Sequence, residues 1–331
     1  GTYFLDYTIL GRHPKAFYWG TVLLGVWIVL LSPRIAGAVY YGSYVTLLSP
    51  VAYAVLLCSL RGRGWCGLLL AVAYGIPPLM IALLAPSVFG AALLLASAFI
   101  LALTAIRKGW FRVPGGLATG LVLGLPAAGT ALFLLRHWQG FSHRMAVAFH
   151  PELYPDGGGY QATAVLNALS GAELWGRGSF GSPDAVGNYR QLISSSDFLL
   201  TSLIHFFGWI PFLLLCGALL GLVIWIAAKC RRQANALGQM VSMAIVLTIG
   251  LQSIFGILMN LGFVLMSVPC PFVAGNLHTV LDMALMGLLL SVFRQERLPA
   301  EETAAFAPKG RKRISFQDGN LIVALDRRNR A

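Results

Sequence analysis

Eight long apolar runs alternate with shorter polar segments along this chain. They lie near residues 17–33, 43–60, 65–85, 88–106, 117–135, 198–228, 237–266 and 275–293. Because a helix needs about 20 apolar residues to cross the hydrocarbon core of a bilayer, each run predicts one transmembrane helix. The alternating segments of about ten residues that form membrane β-barrels do not occur. The pattern therefore predicts an all-α fold, a polytopic integral membrane helical bundle of about eight transmembrane helices.

The connection between the fifth and sixth runs, residues 136–197, is far longer than the other connections. A loop of this length is usually functional or disordered, and its many aromatic and leucine residues make it too apolar for plain disorder. We therefore expect it to fold back on the membrane surface, with a short helix near Gln161–Leu169. The sixth and seventh runs exceed one bilayer thickness, so we expect tilt or protruding ends.

The polarity of the chain changes after the eighth run. This change predicts a transmembrane domain over residues 1–294 and a basic tail over residues 295–331. The tail cluster Arg311-Lys312-Arg313 indicates contact with anionic lipid. Asp318-Gly319, placed between short apolar segments, favours a small hairpin.

The composition excludes a soluble globular domain, because 57% of the residues are hydrophobic, 11% are charged and the mean hydropathy is +0.75. The formal net charge of +12 could indicate nucleic acid. However, nineteen of the 24 basic residues fall on one side of an eight-pass topology. By the positive-inside rule that side is cytoplasmic and holds both termini, and residues 136–197 form an extracytoplasmic loop. The charge is therefore a topology signal, and no nucleic-acid partner is predicted.

Cysteine spacing predicts no disulfide framework and no metal site. The five cysteines are scattered over apolar runs and single connections, without the paired spacing of a zinc motif. No phosphate-binding glycine loop or catalytic triad is found either.

Polar side chains recur at helical spacing within three of the apolar runs, where each needs a partner or a function. They are Asp197, Thr201 and His205 in the sixth run, Thr248, Gln252, Gly256 and Asn260 in the seventh, and His278 and Asp282 in the eighth. Five of them are expected within roughly 12 Å of the outer surface, where they could line a wet cavity. These five are Asp197, His205, Asn260, His278 and Asp282.

Simpler roles stay open for the same residues. Asp197 follows Ser194-Ser195-Ser196 and is also placed as an ordinary helix N-cap. His278 and Asp282 are also consistent with a satisfied pair that holds helices together. The stripe from Thr248 to Asn260 is also typical of hydrogen bonding between helices.

Several stretches, taken in order, give a more specific prediction. They are His150-Pro151-Glu152, Gly159-Tyr160-Gln161, Leu174-Trp175-Gly176-Arg177-Gly178, Asp197-Phe198-Leu199 followed by Gly208, Gln252 to Asn260-Leu261-Gly262, Pro269-Cys270-Pro271-Phe272-Val273, and Gly287-Leu288-Leu289-Leu290. This order resembles the SEDS family (shape, elongation, division and sporulation), the RodA and FtsW type of cell-wall polymerase. The family has ten crossings, and this chain resembles the last eight, so we expect residues upstream of Gly1.

The resemblance implies a peptidoglycan glycosyltransferase of the bacterial cytoplasmic membrane that polymerises lipid II. It places the essential acid of the family at Asp197, as a general base that takes the proton of the attacking sugar hydroxyl. Arg144, Arg177 or Arg190 would neutralise the diphosphate leaving group. The implied partners are lipid II, membrane lipids and a class B penicillin-binding protein; no cofactor is certain, and a divalent cation stays open. The further substrate-binding candidates are Tyr160, Gln161, His205, Asn260, His278 and Asp282.

The sequence also departs from the family pattern. His205 and Phe206 stand where the resemblance expects two glutamates, and Ala274-Gly275-Asn276-Leu277-His278 replaces a Ser-Tyr-Gly-Gly-Ser-Ser run. A catalytically degenerate membrane scaffold for cell-wall machinery is therefore the alternative. A lipid or solute transporter ranks last, because the halves of the chain show no inverted repeat.

Overall fold

The fold is known from a computed structural model. It describes residues 7–31, 34–35, 38–39, 42–85, 87–136, 138–154, 159–179, 196–233, 235–265, 268, 270–272, 277–295, 314–317 and 320–323. Within these ranges only the backbone is described for residues 34–35, 38–39, 42–43, 125–126, 128–136, 196, 277, 295, 314–317 and 320–323.

Long helices occupy the eight predicted runs, after a short helix α1 (Thr8–Arg12). They are α2 (Pro14–Leu31), α3 (Gly42–Ser59), α4 (Gly64–Leu84), α5 (Val88–Arg107), α6 (Gly115–Arg136), α10 (Trp209–Arg231), α11 (Ala236–Asn260) and α12 (Leu277–Gln295). Counted over the fully described residues alone, five of them, α2, α4, α5, α10 and α11, are long and apolar enough to cross a membrane. The predicted all-α, multi-pass membrane fold is confirmed.

The long connection before α10 carries structure of its own. It contains α7 (Trp138–Phe149), a 3₁₀ turn (Pro151–Leu153), α8 (Tyr160–Ser170), a second 3₁₀ turn (Ser196–Phe198) and α9 (Leu199–Phe207). The short helix predicted near Gln161–Leu169 is confirmed as α8. Two small hairpins complete the described elements, β1 (Arg34–Ile35) with β2 (Ala38–Val39) and β3 (Ile314–Gln317) with β4 (Asn320–Val323). In the second hairpin Gln317 pairs with Asn320, as the Asp318-Gly319 turn predicts.

The sixth apolar run is not one helix, and this part of the prediction was wrong. The helix is interrupted at Gly208. Its backbone angles, φ of 96° and ψ of 178°, end α9 before α10 begins. The 23 residues of α10 alone are about 35 Å long, enough to cross the hydrocarbon core. Asp197, Thr201 and His205 therefore precede the spanning helix. Apolar periodicity missed the break because α9 is as apolar as the helix that follows it.

Helix α3 lies at the centre of the bundle. It packs against α2, α4, α5 and α11, and residues 51–57 of α3 are all buried. A helix that is apolar on every side belongs in such a surrounded position. Glycine allows one of these close contacts, since a Cβ atom at Gly90 of α5 would lie 2.9 Å from Cγ2 of Thr46 on α3.

The two ends of the bundle differ in character, and we name them accordingly. At the basic end α5 and α10 finish and α11 starts, and Lys108 there hydrogen-bonds Gln239. At the loop end α10 starts and α11 finishes, and α8 and α9 contact each other. The division of the chain at residue 294 stays a prediction.

Candidate functional site

Asp197 lies at the loop end, in the 3₁₀ turn that leads into α9. Its side chain is half-buried. The next residue, Phe198, is buried against Ala164, Val165 and Ala168 of α8 and Met259 of α11, which anchors the turn. Burial raises the pKa of Asp197 above the ordinary value of 3.8, because the charged form is disfavoured away from water. The carboxyl group is thus partly accessible and held in a poorly hydrated position.

Asn260, the last residue of α11, fixes the main chain around Asp197. Its Nδ2 donates to the main-chain oxygen of Asp197 at 3.0 Å and to that of Gly256 at 2.9 Å. Its Oδ1 accepts from the main-chain N–H of Thr201 at 3.0 Å and from Thr201 Oγ1 at 3.1 Å. Asn260 and Thr201 are both fully buried. One amide therefore locks the turn and the first part of α9 onto the end of α11.

His205, which also lies in α9, connects this helix to α8. Its side chain is fully buried, and Nδ1 lies 3.1 Å from the main-chain oxygen of Ala168. The predicted common face of Thr201 and His205 is therefore directed into the protein. The spacing of four residues identified this face, but it could not show that the neighbours of the face are α8 and α11.

His278 and Asp282 lie in the first half of α12 and have different neighbours. The His278 ring is 4.2 Å from the ring of Tyr44 on α3. Asp282 is buried, with Oδ2 accepting from the main-chain N–H of Phe272 at 3.4 Å. Among the described residues, neither Asp282 Oδ1 nor the two polar side-chain atoms of the buried Gln252 have a hydrogen-bond partner. This polar pair lies between α11 and α12, and no basic side chain is ion-paired with it among the described residues.

The wet cavity predicted from five polar residues does not form as expected. His205, Asn260 and Asp282 are at most 1% exposed, so they cannot contact a substrate in this conformation. For His205 and Asn260 the physical reason is that α8 and α9 cover the end of α11 where an open cavity was predicted. Asp282 is buried separately, beside Phe272. Asp197 and His278, which are half-buried, are the members of the set that keep access to their surroundings.

The other predicted substrate-binding residues lie in the loop layer. Arg144 on α7, Gln161 on α8 and Arg177 are exposed, and Tyr160 is half-buried. Arg190 lies outside the described residues. No three His, Cys, Asp or Glu side chains converge as a metal site in the part of the chain that the structure describes.

Residues 171–179, which we call the strap, form hydrogen bonds with the backbone groups on both sides of the helix break at Gly208. The strap donates from Gly176 N–H to the oxygen of Phe207 at 3.1 Å and from Gly178 N–H to that of His205 at 2.7 Å. It accepts from the N–H groups of Trp209 and Ile210, each at 3.1 Å, through the oxygens of Glu173 and Leu174. Groups that two helix ends leave unpaired are thereby satisfied. Sequence reasoning missed this role, although the glycines at 176, 178 and 208 were its signal.

The helical bundle and its covering layer of short helices define a polytopic membrane protein with a half-buried acid at one end. The sequence profile of the Cell cycle protein family, which covers FtsW, RodA and SpoVE, matches residues 47–298. The chain belongs to this family. No curated protein sequence gives a match.

Solved structures have the same fold. One, described as "Structural coordination of polymerization and crosslinking by a peptidoglycan synthase complex", has a TM-score of 0.64 at 19% identity, covering 90% of this chain and 85% of the other. The Rod shape determining protein RodA of Thermus thermophilus has a TM-score of 0.56 at 17% identity, covering 90% of this chain and 83% of its own. An aspartate-to-alanine mutant of that RodA gives the same values.

Proposed function

We propose that this protein is a divergent SEDS-type peptidoglycan glycosyltransferase. It polymerises lipid II at the outer face of the bacterial cytoplasmic membrane, in cell division, elongation or sporulation. The basic end faces the cytoplasm, in keeping with the nineteen basic residues assigned to that side of the topology. The loop end, with Asp197, faces outward.

The observation that carries the proposal is the environment of Asp197. A general base must hold its carboxylate in a fixed position and have a pKa nearer the working pH than that of a free aspartate. Burial raises the pKa of Asp197, and the Asn260 amide fixes its main chain. The site lies at the end of α11, which is long and apolar enough to span the membrane, so a substrate whose lipid tail stays in the bilayer can bring its sugar to the acid.

The chemistry assigned to Asp197 is the removal of one proton. The carboxylate takes the proton of the attacking sugar hydroxyl while the oxygen attacks the anomeric carbon of the donor and the diphosphate lipid departs. Arg144, Arg177 and Arg190 stay the proposed cations for that leaving group. Arg177 packs on Phe206, at the end of α9 opposite Asp197. The spacing from Asp197 to Phe206 corresponds to about 13 Å along a helix axis, and the three arginines stay alternatives for direct contact with the diphosphate.

A penicillin-binding transpeptidase of class B is the proposed partner. One similar structure is described as coordinating polymerization and crosslinking in a peptidoglycan synthase complex. Polymerase and crosslinking activities that act on the same glycan strand favour such an assembly for this chain. Tyr160 and Gln161, which begin α8, are proposed to contact the glycan.

The test compares Asp197→Asn with Glu152→Gln in a lipid II polymerisation assay, with the transpeptidase present. Asn keeps the size of the side chain but cannot take a proton, so we expect a loss of about 100-fold or more. Glu152 is an exposed acid in the same loop layer, and its substitution should leave the rate unchanged. Full activity of Asp197→Asn would remove Asp197 from the mechanism.

A second candidate function, a catalytically inactive scaffold for cell-wall machinery, is favoured by the end of α9. Where the resemblance expects two glutamates, His205 is buried against Ala168 and Phe206 packs under Arg177. His205 is thus a buried packing residue and Phe206 an exposed apolar one, so neither position supplies a carboxylate. Wild-type protein that binds its transpeptidase but yields no polymer would establish the scaffold, whereas polymer formation would exclude it.

A further inference from the structure

The strap has a fixed position relative to the membrane, because its bonds are made to the first turn of a spanning helix. Helix α10 is about 35 Å long, slightly longer than the hydrocarbon core of about 30 Å. Its first residues, Trp209 and Ile210, therefore lie close to the membrane boundary. Their N–H groups bind the oxygens of Glu173 and Leu174, so the strap lies at the same depth.

The strap exposes large apolar side chains, which is unusual for a non-helical segment surrounded by water. Leu174 is 72% exposed and Trp175 is 67% exposed. Backbone hydrogen bonds place the strap beside Phe207 of α9 and Ile210 of α10, whose apolar side chains are also exposed. Two large apolar side chains at such a position would be unfavourable in water, and they are favourable at the lipid boundary.

A cation completes the pattern two residues further on. Arg177 is exposed, and its guanidinium group lies 5.5 Å from the centroid of the Phe206 ring. No carboxylate is ion-paired with it among the residues that the structure describes. Arginine with an apolar stem and a free guanidinium is suited to the phosphate layer above an apolar boundary.

We propose that the strap is an interfacial membrane anchor. Leu174 and Trp175 insert between lipid chains at the boundary of the hydrocarbon core, and Arg177 binds phospholipid phosphate groups. The strap surface contacts the same bilayer that α10 crosses. Because the strap is bonded to both α9 and α10, the bilayer also fixes the height of α9 and of Asp197 above it. The anchor holds whether or not the chain is an enzyme.

Depth measurement by spin labelling tests the anchor in the full chain, reconstituted into phospholipid vesicles. Cys66→Ser removes the exposed native thiol. Nitroxides are then attached to Leu174→Cys or Trp175→Cys, with Glu152→Cys as a reference at an exposed, charged position of the same loop layer. Collision with oxygen, which concentrates in lipid, is compared with collision with a water-soluble nickel complex.

We expect oxygen collisions to exceed nickel collisions several-fold at 174 and 175, with the reverse at 152. Nickel access at 174 and 175 equal to that at 152 would place the strap in water and overturn the proposal. Shielding of both positions from both reagents would also overturn it, since another part of the protein would then cover the surface. In a Trp175→Glu background the oxygen preference at 174 should fall, whereas Trp175→Phe should preserve it.

Discussion

At the scale of single residues, the position of Asp197 that favours proton transfer also reduces stability. Burial raises its pKa in the folded protein above the ordinary value of 3.8 that applies to the unfolded chain. At any pH between the two values the folded state binds more protons than the unfolded state, so stability falls as the pH rises. Above the folded pKa the carboxylate is charged in both states, and the full destabilisation is present.

Asp197→Asn is therefore expected to stabilise the protein at neutral pH while it lowers the polymerisation rate by about 100-fold or more. The neutral amide pays no cost for a buried charge. Thermal unfolding in detergent should give a higher Tm for the variant at pH 7, with a difference that shrinks as the pH is lowered towards 4. Glu152→Gln, at an exposed acid, should show no such pH-dependent gain. A variant less stable than the wild type at neutral pH would contradict the assigned cause of the pKa shift.

Asn260 and Thr201 allow the position of Asp197 to be tested separately from helix packing. Asn260→Ala removes the bond to the Asp197 oxygen and leaves buried polar groups unpaired, at a cost of about 1–3 kcal/mol for each. Thr201→Val removes only the hydroxyl contacts and keeps the Asn260–Asp197 bond. We expect Asn260→Ala to lower kcat at least tenfold with little change in KM, and Thr201→Val to cost stability but preserve kcat. Equal kcat values in the two variants would show that the Asp197 bond has no part in activity.

Sequence periodicity gave the residues of this site more readily than their roles. The spacing of Asp197, Thr201 and His205 predicted one common helix face, and this is right for Thr201 and His205, which lie in α9, but not for Asp197, which lies in the preceding 3₁₀ turn. The partners of that face, Ala168 and Asn260, are 37 and 59 positions away, and no local pattern brings them together. Burial was misjudged for the same reason, since the layer that covers His205 comes from the long loop.

At the scale of elements, one glycine determines where the membrane-spanning helix begins. The φ of Gly208 is 96°, a backbone conformation that residues with a side chain rarely adopt. A Cβ atom there would lie 2.6 Å from the Leu174 oxygen. Residues 198–228 nonetheless form a continuous apolar pattern, and one glycine within such a pattern is common in membrane helices. The break could therefore not be predicted from hydropathy, because it depends on bonds supplied by the strap.

Gly208→Ala should destabilise the protein and Gly217→Ala should not. At 208 the backbone strain alone costs about 1–3 kcal/mol, and the contact with the Leu174 oxygen adds to it. Gly217 lies inside α10 with open space around its Cβ position, where alanine favours the helix by about 0.5–1 kcal/mol. Unfolding in mixed micelles measures the free energy of unfolding of both variants. Loss of polymerisation in Gly208→Ala would link the strap to activity. Equal stability of the two variants would contradict the strap as the support of the break.

At the scale of the whole molecule, the apolar pattern predicted the bundle well because membrane helices satisfy their own backbone hydrogen bonds. Each run could be located without knowing its neighbours. The order in which the helices pack could not be predicted in this way, because the central place of α3 depends on contacts with four other helices. Charge distribution predicts the orientation independently, and on this orientation the proposed enzymatic function depends.

Thiol labelling decides the orientation with residues that the chain already offers. Cys66, in the first turn of α4 at the basic end, is exposed, whereas the other four cysteines are buried or half-buried. Ser170→Cys adds an exposed thiol at the end of α8, in the loop layer. With a membrane-impermeant maleimide and intact cells, we expect labelling at 170 and none at Cys66 until the membrane is opened. The Cys66→Ser chain without the added thiol should stay unlabelled throughout. The reverse pattern would place Asp197 in the cytoplasm, and a carboxylate there could not act on sugars that are polymerised outside the membrane.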